Sequence, residues 1–230
     1  MRTIGILGGM SAASTAIYYQ RLNNQCRERL GGLHSADLLI RSVDFAPVAA
    51  MQDAGDWAAA GAMLNREARA LERGGAEILI LATNTMHKLA TALTEGIDIP
   101  FLHIADATAA AINEAGLRRP GLMATAYTME QEFYTERLRG AGLTPMIPAL
   151  QDRATTHRII YEELCKGMIS DASRATYEAI AARLVAAGAD CLILGCTEVG
   201  MLLHSGNVSV PVFDTTFIHC DRALDAALAD

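Results

Sequence analysis

Cys196 is placed where a thiol can react. It lies between Gly195 and Thr197, directly after the apolar run Cys191 to Leu194, where a strand should end and a helix begin. The unpaired N–H groups and positive dipole end of a following helix stabilise a thiolate. The other four cysteines are placed differently. Cys191 points into the strand and reads as core, while Cys26 and Cys165 lie on helical stretches and Cys220 near the tail, where small apolar packing is expected. His87 and His103 follow loops of the first half, and each suits a satisfied structural histidine or a proton-transfer group.

Four loops share the position of Cys196 at the end of an expected strand. They are Gly8-Gly9-Met10-Ser11, Thr83-Asn84-Thr85, Ala124-Thr125-Ala126-Tyr127-Thr128 and Gly195-Cys196-Thr197-Glu198. In open parallel sheets ligands collect at the carboxyl ends of strands, where loops meet helix N-termini. Small hydroxyl and amide residues there can together hold carboxylates, although Ser, Thr and Asn cap helices with or without a ligand. A dinucleotide is excluded: Gly5-x-x-Gly8-Gly9 lacks the G-x-G-x-x-G spacing, and Asp44 is too distant for a ribose-binding acid. No Gly-Lys-Ser/Thr marks a P-loop.

The elements that must position these loops are organised by an internal repeat. Gly75-Ala76-Glu77-Ile78-Leu79-Ile80-Leu81-Ala82-Thr83-Asn84-Thr85 aligns without a gap to Gly188-Ala189-Asp190-Cys191-Leu192-Ile193-Leu194-Gly195-Cys196-Thr197-Glu198, at an offset of 113 residues. Thr83 therefore falls opposite Cys196. Each copy follows an Ala-rich amphipathic stretch that ends in a helix-stopping glycine, then runs apolar like a buried parallel strand. Ile99-Pro100-Phe101-Leu102-His103 resembles Val210-Pro211-Val212-Phe213-Asp214, and Arg2 to Gly8 resembles Arg119 to Thr125 more faintly. An ancestral duplication accounts for three matches in the same order.

The remaining chain alternates between strands and helices, which predicts an α/β fold with parallel sheets flanked by helices. In the first half, strands are expected at Thr3 to Leu7 and Asp37 to Val43, with helices from about Ala12 to Leu30 and beyond Asp56. In the second, strands are expected at Gly121 to Ala124 and Cys191 to Leu194, with helices at Met129 to Ala141, Thr155 to Cys165 and Ser173 to Ala187. Two pseudo-symmetric lobes follow: residues 1–102, completed by 210–230, and residues 103–209, with the active site expected between them.

Composition narrows the partner. The 230 residues carry a formal net charge of −7 with scattered Lys and Arg, which gives nucleic acid no basic footprint. No apolar run reaches the roughly 18 residues needed to span a bilayer. The start of the chain does not read as a signal peptide, so a cytoplasmic location is expected. The five cysteines lack CxxC pairing, which argues for free thiols and against a zinc site or disulfide framework. A small molecule is the expected partner.

Gly8-Gly9-Met10-Ser11-x-x-Ser14-Thr15, Thr83-Asn84-Thr85-Met86-His87 and Gly195-Cys196-Thr197-Glu198 resemble the aspartate/glutamate racemase superfamily, and its aspartate racemase branch in particular. The likeness spans essentially the whole chain, and Leu102-His103-Ile104-Ala105-Asp106-Ala107 shares it. It implies two α/β lobes, a homodimer, no metal and no pyridoxal phosphate or other cofactor. It also implies a proton removed from one face of an α-carbon and returned to the other, which takes two groups. Family members usually carry a cysteine at both loops; here Thr83 replaces the first. Thr83 and Cys196 are then the catalytic pair, with Asn84, Thr85 and Thr197 as donors around the α-carboxylate. By the same resemblance Met10 and Gln52 lie along the substrate, and Thr125 and Lys166 hold its distal carboxylate. Lys166 equally suits a solvent-facing turn.

The implied activity is racemisation of acidic amino acids, aspartate or glutamate, acting preferentially on the L-enantiomer. Two alternatives remain open at the level of sequence. One is a decarboxylase of the same superfamily that uses a single thiol; the other is a catalytically silent amino-acid-binding protein, suggested by the missing first thiol.

Overall fold

The structure, a computed structural model, describes residues 1–229. It divides into two compact units: Met1–His103 together with the segment from His219 onward, and Ile104–Ile218.

In the first unit, β1 (Ile4–Gly8), β2 (Leu38–Ser42), β3 (Ile78–Leu81) and β4 (Phe101–Leu102) form a parallel sheet in the order β2-β1-β3-β4. The helices are α1 (Ala12–Leu30), α2 (Phe45–Ala54), α3 (Trp57–Arg73) and the short α4 (Ala90–Leu93). Both faces of β1 and β3 are covered, which is why these strands read as unbroken apolar runs. Alternation sorts their side chains: Ile4, Ile6, Ile78 and Ile80 pack with Tyr18, Leu22 and Cys26 of α1. Leu7, Leu79 and Leu81 pack with Leu64, Ala68 and Leu71 of α3. Polar caps fix where the helices start: Ser11 accepts from Ser14 N at 3.2 Å, and Asp56 accepts from Ala59 N at 3.0 Å.

The second unit repeats the plan. Its parallel sheet has the order β5-β6-β7, from Pro120–Ala124, Cys191–Gly195 and Val212–Asp214. Around it lie α5 (Ile104–Glu114), α6 (Ala126–Glu130), α7 (Glu132–Gly140), α8 (Leu150–Glu162), α9 (Asp171–Ala186) and the start of α10 (Thr215–Leu228). Met123, Leu192 and Leu194 pack with Ile159 and Ile160 of α8 and Tyr177 and Ile180 of α9. On the other face, Leu122, Ala124, Cys191 and Ile193 pack with Ile104, Ala109 and Ile112 of α5 and Tyr134 and Leu138 of α7.

The duplication is visible in strand register. Leu79 pairs with Phe101 and Ile80 with Leu102, while Leu192 pairs with Val212 and Ile193 with Phe213, their positions in the repeat. Ile4 pairs with Ile78 as Pro120 pairs with Cys191, so Ile4 is equivalent to Pro120 and the fainter sequence match, which sets Ile4 opposite Gly121, is shifted by one residue. Even β2 has a remnant of a counterpart: Met146 forms a parallel bridge with Gly121, through Leu122 N to Met146 O and Met146 N to Pro120 O, both at 2.8 Å.

Several expectations need correction. Residues 210–214 do not complete the first lobe, because β7 pairs with β6; the chain returns to the first unit through α10, from His219. His103 belongs to the first unit rather than opening the second. The expected helix Met129 to Ala141 starts earlier and is broken at Gln131, whose extended backbone (ψ 144°) separates α6 from α7. Among the described residues, no helix is long and apolar enough to cross a membrane.

Candidate active site

In the first unit, parallel pairing brings the ends of β1 and β3 side by side, with Leu7 opposite Leu81 and Ala82 N bonded to Leu7 O at 2.8 Å. Gly8-Gly9-Met10-Ser11 and Thr83-Asn84-Thr85 therefore emerge from adjacent strand ends. Gly9 has φ +94°, and a Cβ there would lie 2.2 Å from Val43 O, so only glycine fits the turn. Its N–H donates to Thr15 Oγ1 at 2.8 Å, and that hydroxyl donates to Ser11 O at 3.0 Å. Ser14 Oγ donates to Ala82 O at 3.3 Å and ties the start of α1 to the residue before Thr83.

Thr83 is the partly exposed member of its loop, flanked by buried Ala82, Asn84 and Thr85. His87, one turn on, donates from Nδ1 to Thr83 O at 2.7 Å, since a carbonyl can only accept. The His87 ring packs at 4.5 Å from that of His103 and 5.8 Å from that of His219. His219 Nε2 donates to Leu102 O and Nδ1 accepts from Tyr18, both at 2.9 Å. Burial pushes the His219 pKa down to about 4, against the opposing pull of the Leu102 bond. These histidines scaffold the loop that carries Thr83. Gln52 is buried on α2 and donates to Met86 Sδ at 2.9 Å; Met10 packs beside Leu7 and Val48.

In the second unit Ala124 pairs with Gly195, so Thr125 and Cys196 leave adjacent strand ends. A Cβ on Gly195 would lie 2.8 Å from Ala124 Cβ, which keeps the strands closely packed just before the thiol. Thr125 caps α6, accepting from Thr128 N at 3.3 Å, so its hydroxyl performs the capping role that its residue type also suggests. Thr197 is buried. Lys166, at the end of a short 3₁₀ turn (Leu164–Lys166) followed by left-handed Gly167, is exposed, which matches the solvent-facing reading of its position.

Cys196 differs from the sequence expectation in its charge. No α-helix follows it, only a 3₁₀ turn over Thr197–Met201, and its thiol donates to Glu198 Oε2 at 3.0 Å. Burial raises its pKa well above the ordinary thiol value, and the charge and hydrogen bond of Glu198 raise it further. The resting residue is a neutral thiol rather than a thiolate. Glu198 itself is 3% exposed. Sequence reasoning gives Glu198 no role, and the signal that marks it is an acid two residues after a reactive cysteine, in a loop otherwise made of small residues. The remaining cysteines are free thiols, with Cys26, Cys191 and Cys220 buried and Cys165 half-buried. Burial pushes Cys165 and Cys191 each up to about 12.

The sequence profile of the Asp/Glu/Hydantoin racemases matches residues 7–223, which takes in both strand-end loop pairs. The chain belongs to this family. Among solved structures, it is similar to a Yersinia pestis protein named for the Asp/Glu racemases, at 45% identity and TM-score 0.93 over 100% of both chains. It is also similar to an aspartate racemase homologue from Pyrococcus horikoshii, at 32% identity and TM-score 0.87, again over 100% of both chains. The broad specificity amino-acid racemase RacX of Bacillus subtilis is 21% identical over 93% of this chain and 92% of its own length. Asp/Glu racemase structures share the two-lobed α/β architecture of parallel sheets flanked by helices.

Proposed function

We propose that the chain is a cofactor-independent racemase of acidic amino acids, with Cys196 as its acid/base thiol and Thr83 serving the opposite face of the α-carbon. The supporting observation is the shared register of the two sheets: β3 and β6 occupy equivalent positions and deliver Thr83 and Cys196 at equivalent strand ends. A duplicated fold thereby supplies the two proton-transfer groups that racemisation needs. The likeness to an aspartate racemase homologue favours acidic substrates.

Cys196, as thiolate, removes the α-proton of the L-enantiomer and leaves the electron pair on the α-carbon. Donors at the strand ends stabilise the resulting carbanion through its carboxylate, with Asn84, Thr85 and Thr197 as the side chains placed there. Thr83 returns a proton to the other face, directly or through water, and recovers its own from solvent. A threonine is a much weaker base than a thiolate, so removal from the D-enantiomer is the slower step. Met10 and Gln52 are assigned to contacts along the substrate, and Thr125 and Lys166 to its distal carboxylate.

Incubation with D- and L-aspartate, D- and L-glutamate, a neutral and a basic amino acid and an arylmalonate in deuterated water tests this reading. α-Proton exchange and chirality inversion confined to the acidic amino acids are the expected result. Exchange limited to neutral or basic amino acids would overturn the substrate class, carbon dioxide release from the arylmalonate alone would make the protein a decarboxylase, and aspartate binding without exchange would make it a binding protein.

A further inference from the structure

The strand-end loops contain no lysine or arginine, yet an acidic amino acid brings a second carboxylate on its side chain. In the second unit the hydroxyl of Thr125 is already engaged: it accepts from Thr128 N and lies 3.2 Å from Thr128 Oγ1. Lys166 is exposed on its turn. The Thr125 loop therefore needs a further donor, and α8 brings one. This helix packs against both β5 and α6 and turns Thr156, Ile159 and Ile160 to the core. On its flank, one helical turn apart, His157 and Tyr161 are half-buried.

The His157 ring is fixed from three directions. The N–H of Ala126, the residue after Thr125, donates to its Nδ1 at 3.3 Å. Tyr127 meets it edge-on with ring centroids 5.6 Å apart, and Tyr161 lies tilted at 4.7 Å. An imidazole nitrogen that accepts carries no proton, so the ring proton sits on Nε2 and makes it a donor. The arginines of α8 are committed to acids: Arg153 to Glu130 at 2.8 Å, and Arg158 to Glu162 and Glu163 at 3.5 and 3.4 Å. His87 also bonds to a strand-end loop, but it is 2% exposed, is enclosed by the rings of Phe101, His103 and His219, and serves the Thr83 backbone. His157 instead remains partly exposed and is built onto the loop at the carboxyl end of β5, where ligands of parallel sheets collect.

We propose that His157 is a specificity-determining residue of the reaction, its Nε2–H donating to the side-chain carboxylate of the bound acidic amino acid. The donor is neutral, so it selects by hydrogen-bond direction: a carboxylate accepts the bond, an alkyl side chain leaves the N–H unmatched, and an ammonium sets donor against donor. The contact lies at the side chain and away from the α-carbon. It is therefore the same before and during proton transfer, and its loss shows in KM with kcat nearly unchanged.

The proposal rests on the racemase reading for its substrate, and two measurements separate them. His157→Asn keeps an acceptor at the position of Nδ1, and with it the bond from Ala126, but withdraws the Nε2–H. KM for L-aspartate and L-glutamate is expected to rise about tenfold or more while kcat changes by less than about threefold. Unchanged KM, or a loss confined to kcat, overturns the role. The second measurement needs no turnover: NMR of wild-type protein carrying ¹⁵N-labelled histidine, with the His157 signals assigned by their absence from His157→Asn. Near neutral pH the free protein should carry its ring proton on Nε2. Saturating L-aspartate or L-glutamate should shift that nitrogen, whereas L-alanine, which lacks the side-chain carboxylate, should not. A proton on Nδ1 in the free protein, an Nε2 signal that neither acid moves, or one that alanine moves equally overturns the proposal even where the variant folds poorly. Aspartate that shifts Nε2 without exchanging its α-proton would remove the racemase reading and leave the His157 contact standing.

Discussion

The thiol of Cys196 donates to the buried carboxylate of Glu198 across 3.0 Å, and this contact adds to burial in holding the sulfur protonated before substrate arrives. A thiol flanked by a carboxylate and by apolar packing stays protonated at neutral pH. Alkylation of Cys196 by iodoacetamide at pH 7.5, followed by mass spectrometry, is therefore expected to be at least about tenfold slower than that of free cysteine, because each unit of raised pKa removes tenfold of the thiolate. Alkylation as fast as free cysteine would show that the sulfur rests ionised.

Acid stability depends on a second buried group. His219 has its folded pKa pushed down to about 4, below the ordinary value of 6.5, because burial favours its neutral ring. Below pH 6.5 the unfolded chain takes up a proton that the folded protein refuses until about pH 4. The stability is thus fully present above about pH 6.5 and is lost as pH falls towards 4, by about 3 kcal/mol in all. Chemical denaturation at pH 7 and pH 4.5 measures it, and His219→Gln is expected to flatten this slope. An identical slope in the variant would show that His219 does not carry the linkage.

Much of the fold was legible because the strands are buried on both faces: unbroken apolar runs at Ile78 to Leu81 and Cys191 to Leu194 have few other readings. The gap-free repeat then located Thr83 and Cys196 on equivalent ends. Where the reading failed, the information lay outside local sequence. Val212 to Asp214 resembles Phe101 and Leu102 because it is their repeat counterpart, and a counterpart belongs to the other sheet; taking the likeness as membership of the first lobe reversed its meaning. The bridge at Met146 is too short to leave a strand signature. The charge of Cys196 was misread because strand end and helix start were weighed without the carboxylate two residues away, and because the following element is a 3₁₀ turn without an α-helix dipole.

Directionality should follow from the unequal pair. With threonine on one side, turnover from the L-enantiomer exceeds turnover from the D-enantiomer, and KM differs in the same ratio because two enantiomers have equal free energy. Thr83→Cys supplies a second thiol at the equivalent strand end and should raise D-side turnover by about 10-fold or more. Chiral chromatography of initial rates from each enantiomer checks this. Equal turnover and equal KM for both enantiomers in wild-type protein would show that Thr83 imposes no direction.

The role of Cys196 is tested most directly by α-proton exchange of L-aspartate and L-glutamate in deuterated water, followed by proton NMR for wild-type, Cys196→Ser and Cys196→Ala proteins. Wild-type protein should exchange the α-proton and form the D-enantiomer. Both variants should lose on the order of 10²- to 10⁴-fold in exchange rate, while stability changes by less than about 2 kcal/mol, because Cys196 lies partly exposed at a strand end and its loss opens no large core cavity. Exchange at near wild-type rates in either folded variant would contradict the assignment of Cys196 as the acid/base thiol.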